Sequence, residues 1–376
     1  MSLLPLEGLK VVEFTHMVMG PSIGLILGDL GADVVKVEPE GGDRTRRLLG
    51  SGAGYFPMYN RNKRSVCLDL KSPEGLEQAM ELAAGADVVI ENFRPGALEK
   101  LGLGAAALRA RNPRLIHCSA KGFLPGPYEQ RTALDEVAQM MGGLAYMTGP
   151  PGRPLRAGAS VIDVTGGMFG VIGILAALEQ RHRTGEGAEV KCSLYETTAF
   201  LVGQHMAQKA VTGKAAAPMP ARISAWAVYD VFDVAGGDQI FIGIVSDSQW
   251  AAFCAAFDLA DFAADEGLKL NNDRVQARDR ILPTLRAMFA AMDKDALLEK
   301  LEKLGLPVAP ITRPEDLFDD PHLTAGGLVD LSLPDGGAAI RLPALPLEID
   351  GRRSGVHHDL PAPGQHNAAI LGPDKA

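Results

Sequence analysis

Leu9–Phe14 (LKVVEF), Pro21–Leu30 (PSIGLILGDL) and Ala32–Val37 (ADVVKV) decide the fold. The first run is short and apolar, follows Gly8, and reads as a buried strand. The second carries Pro at its start and is closed by Gly31, the punctuation of a helix. The third is another buried strand. Strand, helix and strand within so short a stretch make a parallel βαβ unit. The pattern then recurs. Ser72-Pro73-Glu74 opens a helix running to about Ala84, with Ser as N-cap and Pro at the first helical position. Asp87–Ile90 is a strand, a helix follows near Ala97–Leu101, and Arg114–Ser119 is the next strand. A long helix over Asp163–Arg181 leads to a strand at Glu189–Leu194. Strands spaced by helices in this way predict an α/β fold with a doubly wound parallel sheet.

The texture changes after residue 212. Residues 213–225 contain the Ala/Pro-rich KAAAPMP and read as a linker. Residues 226–312 read as a smaller α+β domain. Ala227–Phe232 and Gln239–Val245 form a hairpin around Gly236-Gly237, followed by helices at Ser248–Phe257, Asn272–Met292 and Lys294–Leu304. Residues 313–376 are rich in Pro, Gly and short strands, with a short helix near Asn367–Leu371.

The chain has 376 residues, 37 basic against 46 acidic, for a net charge of −9. An acidic chain argues against nucleic-acid binding, which needs clustered positive charge. Hydrophobic residues make up 47%, a globular and not a disordered composition. Cys67, Cys118, Cys192 and Cys254 are far apart, so neither a disulfide framework nor a zinc site is expected, and each reads as a small buried residue in or beside a strand. The eight histidines show no metal-ligand grouping, and His357-His358 reads as a solvated turn. No signal-peptide core opens the chain, and the apolar run Val164–Leu178 falls short of the roughly 20 residues that span a bilayer. The expectation is a cytoplasmic protein without metal or membrane association.

Familiar catalytic signatures are missing. The first strand leads into Thr15-His16-Met17-Val18-Met19-Gly20-Pro21 and not into G-x-G-x-x-G, which disfavours nicotinamide binding there. There is no P-loop, no G-x-S-x-G elbow and no H-E-x-x-H. Three constellations remain. In Arg156–Gly187, Asp163 stands at the start of a long apolar helix, where an N-cap aspartate accepts bonds from orphan N–H groups and is favoured as an anion. Gly166, Gly170 and Gly173 share one face of that helix. Interior glycine costs roughly 0.5–1 kcal/mol against Ala, so something must approach closely, either another helix or a ligand. In Leu134–Gly143, Asp135 and Glu136 begin a helix with Gln139 one turn on. In Lys63–Lys71 and Glu91–Gly96, Lys63, Arg64, Lys71 and Arg94 make basic loops at strand ends, either scattered charges or a pocket for phosphates.

Taken together, LPLEGLKVVEFTHMVMGP, LGADVVKVEPEGGDRTR, YNRNKRSVCLDLKSPEG, ADVVIENFRPGALEKLG and the Asp163 helix ending in AALEQRHRTGEGAEV resemble the family III CoA-transferases, the CaiB/BaiF group. The resemblance runs over nearly the whole chain and is strongest over residues 5–200, where the motifs are close to those of formyl-CoA transferases. It implies a Rossmann-like large domain made of residues 1–212 completed by 313–376, and an interlocked homodimer. It implies coenzyme A and acyl-CoA as substrates, with no bound prosthetic group. Asp163 corresponds to the aspartate nucleophile, and Asp135 to the acidic residue beside it. The CoA-contacting positions correspond to His16, Met17, Val18, Leu68, Lys71, Asn92, Phe93, Lys100 and Arg131, with Lys71 toward phosphate and Asn92-Phe93 toward the adenine. The chain departs from the pattern in places. A family arginine after the second strand is Pro39 here, with Arg44, Arg46 and Arg47 close by. The tyrosine before the acidic residue is Leu134. Pro220-Ala221-Arg222-Ile223-Ser224-Ala225-Trp226 stands in place of a glycine-rich active-site loop, and Arg222 there suits a dicarboxylate acceptor. The related α-methylacyl-CoA racemase carries His where Leu134 stands. Proton exchange on two faces needs two groups, so Leu134 disfavours racemisation.

Overall fold

The computed structural model describes residues 4–222, 224–334 and 337–372; Ile223 of the Pro220–Trp226 segment lies outside them. Six strands form one parallel sheet: β1 (Lys10–Phe14), β2 (Asp33–Glu38), β3 (Lys63–Cys67), β4 (Val88–Glu91), β5 (Ile116–Lys121) and β6 (Glu189–Ser193), in the order β3-β2-β1-β4-β5-β6. The order reverses between β1 and β4. In sheets of this kind the crevice at such a reversal, outside the carboxyl ends of the strands, is where ligands bind.

Side chains alternate across the sheet, and both faces are buried. Val11, Val34 and Ile90 enter one core, Val12, Val35 and Val89 the other. This is why the strands read as unbroken apolar runs and not as alternating ones. Helix α1 (Met19–Asp29) covers the first face. Helix α2 (Pro73–Ala84) covers the second, and the Ser72 hydroxyl accepts its Gly75 N–H at 3.0 Å, the cap its sequence predicts. Helix α3 (Asp135–Met141) is short, and helix α4 (Val161–Thr184) is the longest. By length and composition α4 is apolar enough to cross a membrane. In the fold its glycine face packs against α1 and β6: a Cβ added at Gly170 would stand 2.6 Å from Ile23 Cδ1 and 3.1 Å from Cys192 Sγ. Close helix packing, and not a ligand, accounts for the glycine stripe. Helices α5 (Leu194–Leu201) and α6 (Gly203–Thr212) follow β6.

By contacts the chain divides into a discontinuous unit, 1–220 with 321–376, and a second unit, 221–320. The second unit holds the antiparallel strands β7 (Val228–Asp233), β8 (Gln239–Ile244) and β9 (Val308–Pro310), with helices α7 (Asp247–Ala256), α8 (Arg278–Phe289) and α9 (Lys294–Lys303). A single helix over Asn272–Met292 is not formed, because the chain breaks at Ala277. Cys254 is buried in α7, not beside a strand.

The tail closes back on the first unit. Strands β10 (Leu328–Ser332) and β11 (Ala339–Pro343) pair with each other. Helix α10 (Asn367–Leu371) lies at the outer edge of β3. There the His366 N–H donates to Ser65 O at 3.0 Å, the Ser65 N–H donates to His366 Nδ1 at 3.1 Å, and the Cys67 N–H donates to Asn367 Oδ1 at 2.9 Å. These bonds cap an edge strand that would otherwise offer open N–H groups. His357 and His358 are anchored through their backbone N–H groups to Asn62 Oδ1, at 2.5 and 3.0 Å.

Candidate active site

Two clusters sit at the carboxyl side of the sheet and at the start of α4. In the first, the loop after β1 meets the loop after β4. The His16 N–H donates to Asn92 Oδ1 at 3.0 Å, and Asn92 Nδ2 donates back to His16 O at 2.8 Å. The His16 ring lies 5.5 Å from that of Phe93. Burial, with the Lys36 ammonium adding to it and Asp43 opposing, holds the His16 imidazole below its usual range. Val18 is buried at the foot of α1. Met17 has φ 63°, a left-handed conformation that a side chain of its size seldom adopts. The structure thus brings His16, Met17, Val18, Asn92 and Phe93 together at the reversal point of the sheet.

Leu68 is buried just past β3, beside a cleft of about 520 Å³ lined also by Cys67, Ser72 and Asn367. Lys71, Arg94, Lys100 and Arg131 have exposed side chains, and the Arg131 guanidinium stacks 5.0 Å from the Tyr128 ring. Lys63 and Arg64 do not belong to a phosphate pocket. Lys63 begins β3 at the opposite end of the strand and is fully buried, donating to Glu13 Oε1 and Pro21 O at 2.9 Å each. Arg64 pairs with Asp33. Lys63 is paired because a buried charge cannot be left without a partner, and Arg64 is only partly exposed and engaged by Asp33. Of the arginines after β2, Arg46 is held by Glu38 (Nε to Oε2, 2.8 Å) and by Pro361 O at 2.7 Å, and Arg47 donates to Gly41 O at 2.7 Å.

The second cluster surrounds Asp163. The helix begins two residues earlier than its sequence predicts, so Asp163 is the third residue of α4 and not its cap. Asp135, the first residue of α3, takes the capping role from outside. Its Oδ2 accepts from the Ile162 N–H at 2.9 Å and the Asp163 N–H at 3.1 Å. An acceptor supplied across the fold satisfies the orphan donors that a local cap would otherwise serve. Asp135 is buried and held in turn by Gln139 Nε2, while Gln139 Oε1 accepts from the Ala157 N–H at 2.8 Å. Arg156 pairs with Glu136, lies 3.7 Å from Asp135 Oδ1, and donates from Nε to Ala157 O at 3.0 Å.

This setting reverses the expected charge behaviour of Asp163. Burial pushes its carboxyl up to about 7, Asp135 and Glu136 push in the same direction, and Arg156 opposes them. Desolvation and two like charges outweigh the helix dipole, which contributes well under a pKa unit's worth of energy per partly exposed group, typically about 0.3–1 kcal/mol. Tyr59 faces the same field. Burial first, then the Asp163 charge, drive its phenol up to about 12. Tyr59 is not visible as a site residue in the sequence, since its charge coupling to Asp163 comes from a distant part of the chain, and Arg156 only opens the stretch that carries Asp163. A half-buried carboxyl poised near neutrality, beside rigidly held N–H groups, is suited to nucleophilic attack on an activated carbonyl.

Comparison with known proteins agrees with this architecture. The model for CoA-transferase family III matches residues 6–367. A succinate–glutarate CoA-transferase from Agrobacterium fabrum is 34% identical over 98% of this chain and 95% of its own length. A succinyl-CoA:glutarate CoA-transferase from Mus musculus is 33% identical over 98% of this chain and 86% of its own. The crystal structure of a CaiB/BaiF family protein from Brucella suis superposes with a TM-score of 0.88 at 34% identity, covering 99% of this chain and 100% of that one. The chain belongs to CoA-transferase family III.

Proposed function

We propose that this enzyme moves CoA from a dicarboxylic acyl-CoA to a carboxylic acid acceptor, with Asp163 as the covalent nucleophile. The observation that carries the reading is the Asp163 carboxyl at the start of α4, poised near neutral pH and backed by the Asp135 cap. The Asp163 carboxylate attacks the thioester carbonyl of the donor, and CoA leaves as thiolate. The product is a mixed anhydride. The thiolate then attacks the aspartyl carbonyl, giving an aspartyl-CoA thioester and the free donor acid. The acceptor carboxylate attacks that thioester, the thiolate leaves again, and its return to the acceptor carbonyl yields the new acyl-CoA and restores Asp163. Each step is an exchange between activated acyl groups, so one hard transfer becomes several easier ones. Asp135 keeps the turn bearing Asp163 rigid, so little reorganisation is needed at the moment of reaction.

The loops carrying His16, Met17, Val18, Asn92 and Phe93 hold the cofactor portion of the substrate, with Leu68 against its apolar surface and Lys71, Lys100 and Arg131 free to meet its phosphates. The first unit is then the CoA-binding domain. The named relatives act on succinate and glutarate, which supports a dicarboxylate on at least one side of the reaction. Exposed Met168, Ile172 and Leu175 on α4 with Phe200 and Met206 on α5 and α6 form an apolar face that a homodimer would cover.

Succinyl-CoA with hydroxylamine and no acceptor should inactivate the enzyme and leave a hydroxamate on Asp163, read by peptide mass spectrometry. A fully active Asp163→Ala enzyme would sink the reading. Exchange of the α-hydrogen of an acyl-CoA in heavy water without any acceptor acid would favour a racemase instead.

A further inference from the structure

We propose that Thr45, on the turn after β2, is a positioning residue for the CoA-binding loop after β1, and that buried Asp43 and Lys36 hold it in that role. The inference rests on the CoA-binding assignment of that loop. Met17 is the reason a clamp is needed. Its left-handed backbone is unfavourable for a residue with a side chain and persists only where surroundings over-determine it.

Three consecutive residues of the loop are each held by a different part of the sheet. Thr15 O accepts from the Lys36 ammonium of β2 at 2.7 Å. His16 exchanges both backbone groups with the side chain of Asn92, after β4. The Met17 N–H donates to Thr45 Oγ1 at 3.2 Å. Thr45 is itself fixed: its hydroxyl donates to Asp43 Oδ1 at 2.8 Å, and its N–H donates to the same oxygen at 2.9 Å. The other Asp43 oxygen stands 3.2 Å from Lys36 Nζ, which is also 3.6 Å from Glu13. Lys36, Asp43 and Thr45 are all buried, so this network is not loosened by water as a surface pair is. The Thr45 hydroxyl thus spends its proton on Asp43 and its lone pair on Met17. Its effect passes through the loop backbone.

Thr45→Val deletes the hydroxyl at nearly constant volume, and Thr45→Ser keeps it. In the folded Thr45→Val enzyme, KM for succinyl-CoA should rise about tenfold, with kcat at saturation changed by less than about threefold. Hydrogen exchange of the peptide spanning residues 14–19 should quicken by a similar factor, about tenfold. Thr45→Ser should restore both. Thr45→Ala repeats the deletion if the valine methyl disturbs folding. Unchanged KM and unchanged exchange in either deletion variant overturn the inference while leaving the CoA-transferase reading intact. A serine variant as impaired as valine also overturns it, because packing and not the hydroxyl would then be responsible. A wild-type enzyme that binds no CoA thioester overturns the functional reading first, and the assignment of the loop with it.

Discussion

Beneath the loop after β1, the first unit buries Glu13, Lys36 and Lys63 with no exposed surface, alongside Asp43, Glu38 and the Glu38–Arg46 pair. The second unit packs many rings into its interior: Phe232 meets Phe289 edge-on at 5.1 Å, and Phe253 lies tilted against Phe257 at 4.7 Å. Both regions are dry, yet they answer different needs. Rings are non-directional and stabilise by area. Buried ion pairs gain little net stability, because desolvation offsets their attraction, but they fix direction: each oxygen and ammonium has one acceptable arrangement. The charged core lies where three loops must be held against one another. In the second unit the rings supply cohesion, and buried Arg274, paired with Asp247 beside Trp250, is its counterpart to the charged core.

The largest expected effect is at Asp163, in the first unit. Asp163→Ala should lower transferase activity by more than about 10³-fold, with both cores intact by near-ultraviolet circular dichroism. Lys63→Met comes next. It strips Glu13 of a partner in a sealed site and should cost about 3–5 kcal/mol in urea unfolding. It should also weaken CoA binding, since Glu13 is shared with Lys36. Phe289→Ala in α8 should cost a comparable amount, about 3–5 kcal/mol, yet leave CoA affinity untouched by calorimetry. Equal effects of the two variants on CoA affinity would break the comparison. Gly170→Ala should cost less, about 1–3 kcal/mol, because the new methyl drives into Ile23 and Cys192.

The smallest expected effect is a gain. The folded-state pKa of Asp163 is raised from 3.8 to about 7, so its ionised form opposes folding. That cost is absent below the unfolded value and complete above the folded one. Asp163→Asn should therefore be more stable than wild type at about pH 8 and no more stable at about pH 4, the difference being on the order of 1 kcal/mol once solvent screening of a half-buried group is allowed for. Thermal melts at both pH values check it. If Asp163 is the nucleophile proposed above, kcat/KM of the wild type should climb as pH rises toward 7, where its carboxyl becomes charged.

Much of the scaffold is legible in the sequence. Ser72-Pro73 announced α2, Gly236-Gly237 the hairpin of the second unit, and the apolar runs around Val11, Val34 and Val89 the central strands. The site was legible only in part. Asp163 and Asp135 stood out as acids at helix starts, but their roles in the capping geometry were exchanged. Lys63 and Arg64 looked like loop charges and proved to be structural. Tyr59 leaves no local signal, and Arg156 stands at the head of the Asp163 stretch without a role legible there.

The dividing line is the range of the forces involved. Strand and helix identity follow from side chains within a turn or two of one another, and caps act across three residues, so the chain alone determined the βαβ alternation, the two textures and the family motifs. Ionisation and capping at Asp163 depend on groups brought from Asp135, Glu136 and Arg156. The burial of Lys63 depends on β1 and α1 closing over it. Electrostatic energies scale with distance and dielectric, both of which exist only once the chain has packed, and so the tertiary structure alone decided which acid caps, which acid has its pKa raised, and which basic residues the fold pairs internally.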